Sequence, residues 1–199
     1  MQSRPLGIPG AFEFTPNQHR DERGVFFEHY RFEALEGALA HPFTVRQGNT
    51  SVSRRGTVRG IHYALVPPGQ AKYVTCVRGA VLDFVVDVRV GSPAFGGWES
   101  VLLDGVDSRA VYLAEGLGHC FVALTDDAVV SYLVSEVYNN EREFGISPTD
   151  PEIGLRFPPE AGELLLSPKD LAAPTLAAAR ESGLLPSYDD CIAYERSLA

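Results

Sequence analysis

The chain alternates apolar and polar residues in short runs. The cleanest is VLDFVVDVRV, in which Leu82, Phe84, Val86, Val88 and Val90 share one side of an extended strand. Asp83, Asp87 and Arg89 fall on the other side. Period two of this kind predicts a strand with one side toward a core. The run before it, KYVTCV, connects through Arg78-Gly79, a hairpin-turn signal. AVVSYLVSEVY predicts another strand, with Val130, Tyr132, Val134, Glu136 and Tyr138 on one face. Turn signals at PPGQ, GSPAFGG, DDA and SPTDPE punctuate these runs.

Strand-like runs dominate to about Leu155. Helical periodicity is confined to RFEALEGALA, to TLAAARES closed by Gly183, and to YDDCIAYERSLA. Many short strands with helices mainly at the C-terminus predict an all-β fold, a sandwich or jelly-roll barrel of the cupin (double-stranded β-helix) type. We expect one domain over 1–199, with 171–199 a helical C-terminal extension. Polar residues facing the interior of such a barrel line a ligand cavity.

Composition narrows the partners. The 199 residues are 45% hydrophobic and 22% charged, ordinary for a chain that buries a core. A net charge of -9 argues against nucleic acid and anionic membranes, which reward a basic surface. An anionic small ligand would need a local cluster of Arg and Lys. Cys76, Cys120 and Cys191 are odd in number and widely spaced, so neither a disulfide framework nor a zinc ribbon is expected. No apolar run approaches membrane-spanning length and MQSRPLGIPGAFEF has no apolar leader core, so a cytoplasmic protein is expected.

Several polar residues sit badly in a plain core. QGNTSVS puts Gln47, Asn49, Ser51 and Ser53 on one strand face, either an edge shown to solvent or the wall of a cavity. In RGIHYALVPPGQAKY, strict alternation sets Arg59 and His62 on opposite faces. They meet only if Gly60 marks a bulge. The PPGQ turn is tight enough to bring Lys72 near His62. His119, in EGLGHCF, reads as a ligand contact, a turn residue or a metal ligand; two histidines without a carboxylate partner make a poor metal site. In LSPKD, Ser167, Pro168 and Asp170 match a helix N-cap, Pro at N1 and an acid at N3, and Asp170 could equally orient a histidine ring.

Taken together, DERGVFFE, RQGNTSVSRRGTVRGIHY, PPGQAKYVTCVRGAVLDFVVDVRVGSPAFGGW, VYLAEGLGHCFVAL, SYLVSEVYNNERE, DPEIGL and LLSPKDLAAPTL resemble the dTDP-4-dehydrorhamnose 3,5-epimerase family. The resemblance implies His62 as the base that removes a proton alpha to a C4 ketone, with Asp170 orienting it. It implies Lys72 beside the enolate oxygen and Tyr132 as the acid on the opposite ring face. Arg23, Arg59, Gln47, Gly48 and Asn49 would contact diphosphate and nucleoside, with Ser51 on the same polar wall. Phe26, Glu28 and Tyr138 would form the thymine pocket; His119, Glu143 and Lys169 match further substrate contacts.

The substrate so implied is a dTDP-linked 4-keto-deoxysugar, epimerised at C5, C3 or both without metal or redox cofactor. Cys120, PTDP and Asn139-Asn140 depart from the usual family wording. The Ala-, Gly- and Arg-rich style is similar to antibiotic-pathway members that invert only C3 or only C5. A homodimer with exchanged N-terminal strands is also implied. Two other classes compete: a metal-dependent cupin using His62 and His119, and a non-catalytic nucleotide-sugar-binding barrel.

Overall fold

A computed structural model describes residues 1–198. Thirteen strands follow in chain order: β1 (Gln2–Pro5), β2 (Ala11–Thr15), β3 (His19–Asp21), β4 (Gly24–Phe26), β5 (Gln47–Ser53), β6 (Val58–Ala64), β7 (Lys72–Arg78), β8 (Ala80–Val86), β9 (Trp98–Asp104), β10 (Ala110–Leu113), β11 (Gly118–Ala123), β12 (Ala128–Val134) and β13 (Glu143–Gly145). Helix α1 (Phe32–Leu39) precedes β5, and α2 (Pro168–Leu171), α3 (Leu176–Glu181) and α4 (Tyr188–Ser197) close the chain. The strands form a six-stranded sheet ordered β1-β2-β10-β7-β12-β5, a five-stranded sheet ordered β13-β6-β11-β8-β9, and the separate hairpin β3-β4. All named pairings are antiparallel.

The two large sheets pack face to face. Val74, Ala110, Leu113 and Val130 from one meet Val81, Val85, Val101, Leu103 and Phe121 from the other in a single apolar core. A second core lies outside the five-stranded sheet. There Ile61, Tyr63, Phe84, Val86 and Val122 are covered by Ile146, Ile153, Leu176, Ala179 and Leu185. The C-terminal helices are therefore packing elements. Thr175 and Ser187 cap α3 and α4 by accepting from the amides of Ala178 and Asp190.

Three expectations from the pattern are corrected. Arg78-Gly79 is not a hairpin turn, because β7 and β8 belong to different sheets and the chain turns a corner there. Gly79 has φ +76°, and a Cβ would come within 2.3 Å of Thr125 Oγ1. Both sides of VLDFVVDVRV are buried, since helices cover the outer face of β8, so Asp87 and Arg89 are sealed in rather than set apart. Finally β12 stops at Val134, which pairs with Lys72 and Gln47, the first residues of both neighbouring strands. Glu136 and Tyr138 therefore lie beyond the ladder.

Candidate active site

The register of β6 against β11 decides whether Arg59 and His62 share a side. His62 faces His119 and Arg59 faces Phe121, so three steps on β6 match two on β11. The extra residue is a bulge across Gly60 and Ile61. Gly60 has φ +130°, and a Cβ would lie 2.4 Å from the His119 carbonyl oxygen. No other residue fits there. The bulge returns Arg59 to the face of His62, and both line one cavity of about 450 Å³.

Lys72, His119, Tyr132, Ser51, Lys169 and Asp170 line that cavity too. A second lobe of about 280 Å³ shares His62, Lys72, Tyr132 and Lys169, and adds Gln47, Asn49, Tyr138 and Glu143. The polar face of QGNTSVS therefore lines a cavity. Gln47 and Asn49 pair across β12 with Val134 and Tyr132. Gly48 alternates to the exposed outer face and lines neither lobe. Arg23, Phe26 and Glu28 are also outside it. They lie on or beside the exposed β3-β4 hairpin, with Arg23 bound to Asp21, Glu28 to Arg31, and Phe26 71% exposed.

The site bridges the sandwich. His62 stands on the five-stranded sheet, whereas Lys72 and Tyr132 stand on neighbouring strands of the six-stranded one. His62 Nε2 lies 2.7 Å from Asp170 Oδ1, which accepts its N–H and leaves Nδ1 as the free ring nitrogen. Ser167 Oγ donates to Asp170 Oδ2 at 2.8 Å while accepting from the Asp170 amide. Asp170 is thus both helix N3 acid and histidine partner. Burial pushes its carboxyl pKa up, but the hydrogen bonds from His62 and Ser167 and the charges of His62 and Lys169 outweigh this. The pKa ends below the ordinary value.

Burial lowers the pKa of Lys72, against the upward pull of the Glu143 and Asp83 carboxylates. Tyr132 moves the other way: burial and then Glu143 raise its phenol pKa, with Arg59 opposing. Arg59 is steadied by its Nε–H donating to Ser53 Oγ at 3.1 Å. Glu143 accepts from Gln70 Nε2 at 3.3 Å and from the Asn139 amide at 3.3 Å. Ser51 Oγ is buried with no partner, hydrogen-bonding capacity left for something in the cavity.

His119 Nε2 lies 2.7 Å from Asp83 Oδ2. The ring lines the cavity at the start of β11. Among the described residues no three His, Cys, Asp or Glu side chains gather as a metal site would need. The sequence did not reveal that His119 pairs with Asp83, whose one signal was an acid flanked by apolar residues in a strand; Asp83 itself lines neither lobe. The sequence reading also missed the wall residues Thr57, Phe121, Leu165 and Leu166. Leu165 arrives through a parallel bridge to Thr57, which has no sequence signature.

The sequence pattern described as dTDP-4-dehydrorhamnose 3,5-epimerase matches residues 5–178. The chain belongs to the dTDP-4-dehydrorhamnose 3,5-epimerase family. It is 54% identical over 191 residues to a dTDP-4-dehydrorhamnose 3-epimerase of Streptomyces niveus, covering 96% of this chain and 91% of that one. It is 52% identical over 198 residues to the dTDP-4-dehydrorhamnose 3,5-epimerase of Mycolicibacterium smegmatis, covering 100% and 97%. Among solved structures, it superposes with TM-score 0.94 and 49% identity on ChmJ, a 3'-monoepimerase from Streptomyces bikiniensis in complex with dTDP-quinovose, covering 98% of each chain. Family members of similar identity therefore carry names for one inversion and for two. No helix of the described residues is long and apolar enough to cross a membrane.

Proposed function

We propose that this protein epimerises a dTDP-linked 4-keto-6-deoxyhexose at C3, C5 or both, through an enolate. The observation that carries the reading is His62 facing Tyr132 and Lys72 from opposite sheets across one cavity. His62 Nδ1 takes the proton from the carbon alpha to the C4 ketone, and the electron pair of that C–H bond moves onto the ketone oxygen. Asp170 stabilises the imidazolium that forms. The Lys72 ammonium meets the developing oxyanion, a fixed donor worth about 10²–10³ in rate. Tyr132 returns a proton to the opposite ring face, its phenol held protonated by the burial that raises its pKa. Acid and base on opposite walls yield inversion; on one wall they would only exchange the proton. The reading draws on no metal or redox group.

Arg59 and Lys169 supply positive charge for the diphosphate within a chain of net charge -9. Tyr138, 56% exposed at the rim of the second lobe, offers a stacking face for the thymine. The test is incubation with dTDP-4-keto-6-deoxyglucose in D₂O, which should place deuterium at C3, C5 or both. No exchange on this or on amino- or deoxy-substituted 4-keto-sugars would overturn the reading. Tyr132→Phe should retain exchange and lose net inversion.

The face-to-face sandwich fits a jelly roll of the cupin type, formed by the chain as one unit with 171–199 as its extension. The hairpin residues Arg23, Phe26 and Glu28 fit a homodimer in which each chain lends them to its partner's cavity. Exposed Phe26, Val52, Val77 and Val106 supply apolar surface for that contact. A monomer in sedimentation at working concentration would contradict it. A cytoplasmic setting agrees with three unpaired, buried cysteines.

A further inference from the structure

Lys72 opens β7, and it pairs there with Val134 and Leu113, the last residues of the strands on either side. The ladder thus ends at the residue that carries the site's cation. Lys72 is 7% exposed, yet the buried carboxylates pair with His62, Arg89 and His119, and no ion pair of the described residues includes it. Its place is set by the backbone that enters β7. One hydroxyl holds that backbone. The Ala71 amide donates to Ser135 Oγ at 2.8 Å, and the Ser135 amide donates back to the Ala71 carbonyl at 3.1 Å. An amide can only donate, so Ser135 Oγ accepts there and keeps its own hydrogen for Glu115 Oε1, 2.9 Å away. Glu115 is 4% exposed in the turn between β10 and β11, so the chain beyond both neighbours of β7 closes on Ala71. The PPGQ turn rests on the Glu115 stem: a Cβ at Gly69 would come within 2.7 Å of Glu115 Cβ.

We propose that Glu115 is a positioning residue for the reaction: through the Ser135 hydroxyl it fixes Ala71, and with Ala71 the place of the Lys72 ammonium. This role rests on the epimerase reading, in which Lys72 meets the enolate oxygen. Glu115 lines neither lobe of the cavity, so it acts only through this chain of bonds. Its working part is an acceptor oxygen. Burial pushes the carboxyl pKa up, against its own amide, the Ser135 hydroxyl and the His41 charge, with Glu195 adding to the rise. A neutral side chain with the same oxygen should therefore serve. Without Glu115 the hydroxyl loses its fixed orientation; without Ser135 the Ala71 amide, in a residue 1% exposed, has no partner. Displacement of the cation by about 1 Å costs up to about 100-fold in rate.

The experiment measures deuterium entry into the sugar at saturating substrate for Glu115→Ala, Glu115→Gln and Ser135→Ala, each alone and with Lys72→Gln. Glu115→Ala and Ser135→Ala should each lower the rate about 10–100-fold. KM should stay within about threefold, as for loss of a group acting on the transition state. Glu115→Gln keeps the acceptor and should hold the rate within about threefold of the parent. In the Lys72→Gln background, either alanine change should cost less than about threefold more, because a group acting through Lys72 has nothing left to place. Equal losses in both backgrounds overturn the proposal and make Glu115 merely structural. An unchanged rate in Glu115→Ala overturns it too, as does a rate in Glu115→Gln as low as that of Glu115→Ala. Should Glu115→Ala not fold, Ser135→Ala decides by the same comparison. Amide hydrogen exchange needs no substrate. In the parent, Ala71 should be protected about as well as Val74 in the β7 ladder, and Ser135→Ala should cost Ala71 at least about tenfold while Val74 keeps its protection. An Ala71 amide that exchanges freely in the parent, or is unaffected in Ser135→Ala, overturns the proposal. Failure of the epimerase reading would appear separately, as no deuterium in the sugar with the parent protein.

Discussion

Two clusters of charge are buried in this sandwich, and they differ in what they leave unused. Around Arg89, both oxygens of the buried partner carboxylate are spent. Its guanidinium donates to both oxygens of Asp87 at 2.7–2.9 Å and to the Pro9 carbonyl, and it lies 5.0 Å from the Tyr188 ring centroid. Ser92 Oγ donates to Asp87 Oδ2 at 2.6 Å. That cluster ties the N-terminal segment, the end of β8 and α4 together, and neither Asp87 nor Arg89 lines the two lobes around His62. Around His62 the accounting is incomplete: the imidazole keeps a free nitrogen, Lys72 reaches its carboxylates only through space, and Ser51 Oγ and Asp83 Oδ1 have no partner. Burial of charge alone does not mark a site. Unmet capacity facing a cavity does, because an unsatisfied buried polar group costs stability that only a ligand recovers.

The contrast predicts a double dissociation. The largest effect is His62→Ala: deuterium exchange should fall about 10²–10⁴-fold. Thermal stability should move by only about 1 kcal/mol, since the side chain is 36% exposed and Asp170 keeps Ser167. Arg89→Met reverses the pattern. It strands the fully buried Asp87 carboxylate and should cost about 3–5 kcal/mol in denaturant unfolding. The folded fraction should exchange deuterium at the parent rate; a specific rate falling in step with stability would erase the distinction between the clusters.

Lys72 sharpens it next. Its pKa lies below the ordinary lysine value while that of Tyr132 lies above the ordinary tyrosine value, so burial moves loss of the ammonium toward lower pH and loss of the phenol proton toward higher pH. The alkaline limb of the rate profile should then belong to Lys72. Lys72→Gln should lower the rate by about 10²–10³. Lys72→Arg, whose guanidinium does not titrate, should shift the limb upward in whatever activity it retains, measured by exchange against pH.

The smallest effect concerns Asp170. Its folded pKa is depressed, so its contribution to stability is fully present above the unfolded carboxylate value, about 3.9. It is lost as pH falls through the lower folded value. Urea unfolding of the parent should therefore weaken through the acid range below about pH 4, and Asp170→Asn should flatten part of that fall. An identical acid profile in both would remove the carboxylate–imidazole pair as a stabilising feature.

Much of the local structure is legible along the chain. Alternation marks β5, β8 and β12, the Ser167 cap announces α2, and helical periodicity marks α3 and α4. The resemblance supplied residues that the fold brings into one cavity: His62, Lys72, Tyr132, Asp170, Arg59, His119, Glu143 and Lys169. It also named Arg23, Phe26 and Glu28, which a single chain keeps on an exposed hairpin. Arg78-Gly79 shows the limit of local signals, because a tight glycine turn looks the same whether its strands pair or part to different sheets.

The amino-acid order by itself determined which segments extend, where helices begin, and which residue types are available for proton transfer, because those depend on neighbours a few positions away. Only the tertiary structure decided that the Gly60 bulge turns Arg59 to the side of His62, that Asp87 and Arg89 close on each other, and that Asp83 pairs with His119 beneath the cavity. Those are long-range registers. They follow from how two sheets and their covering helices share apolar area, and no periodicity within one strand encodes them.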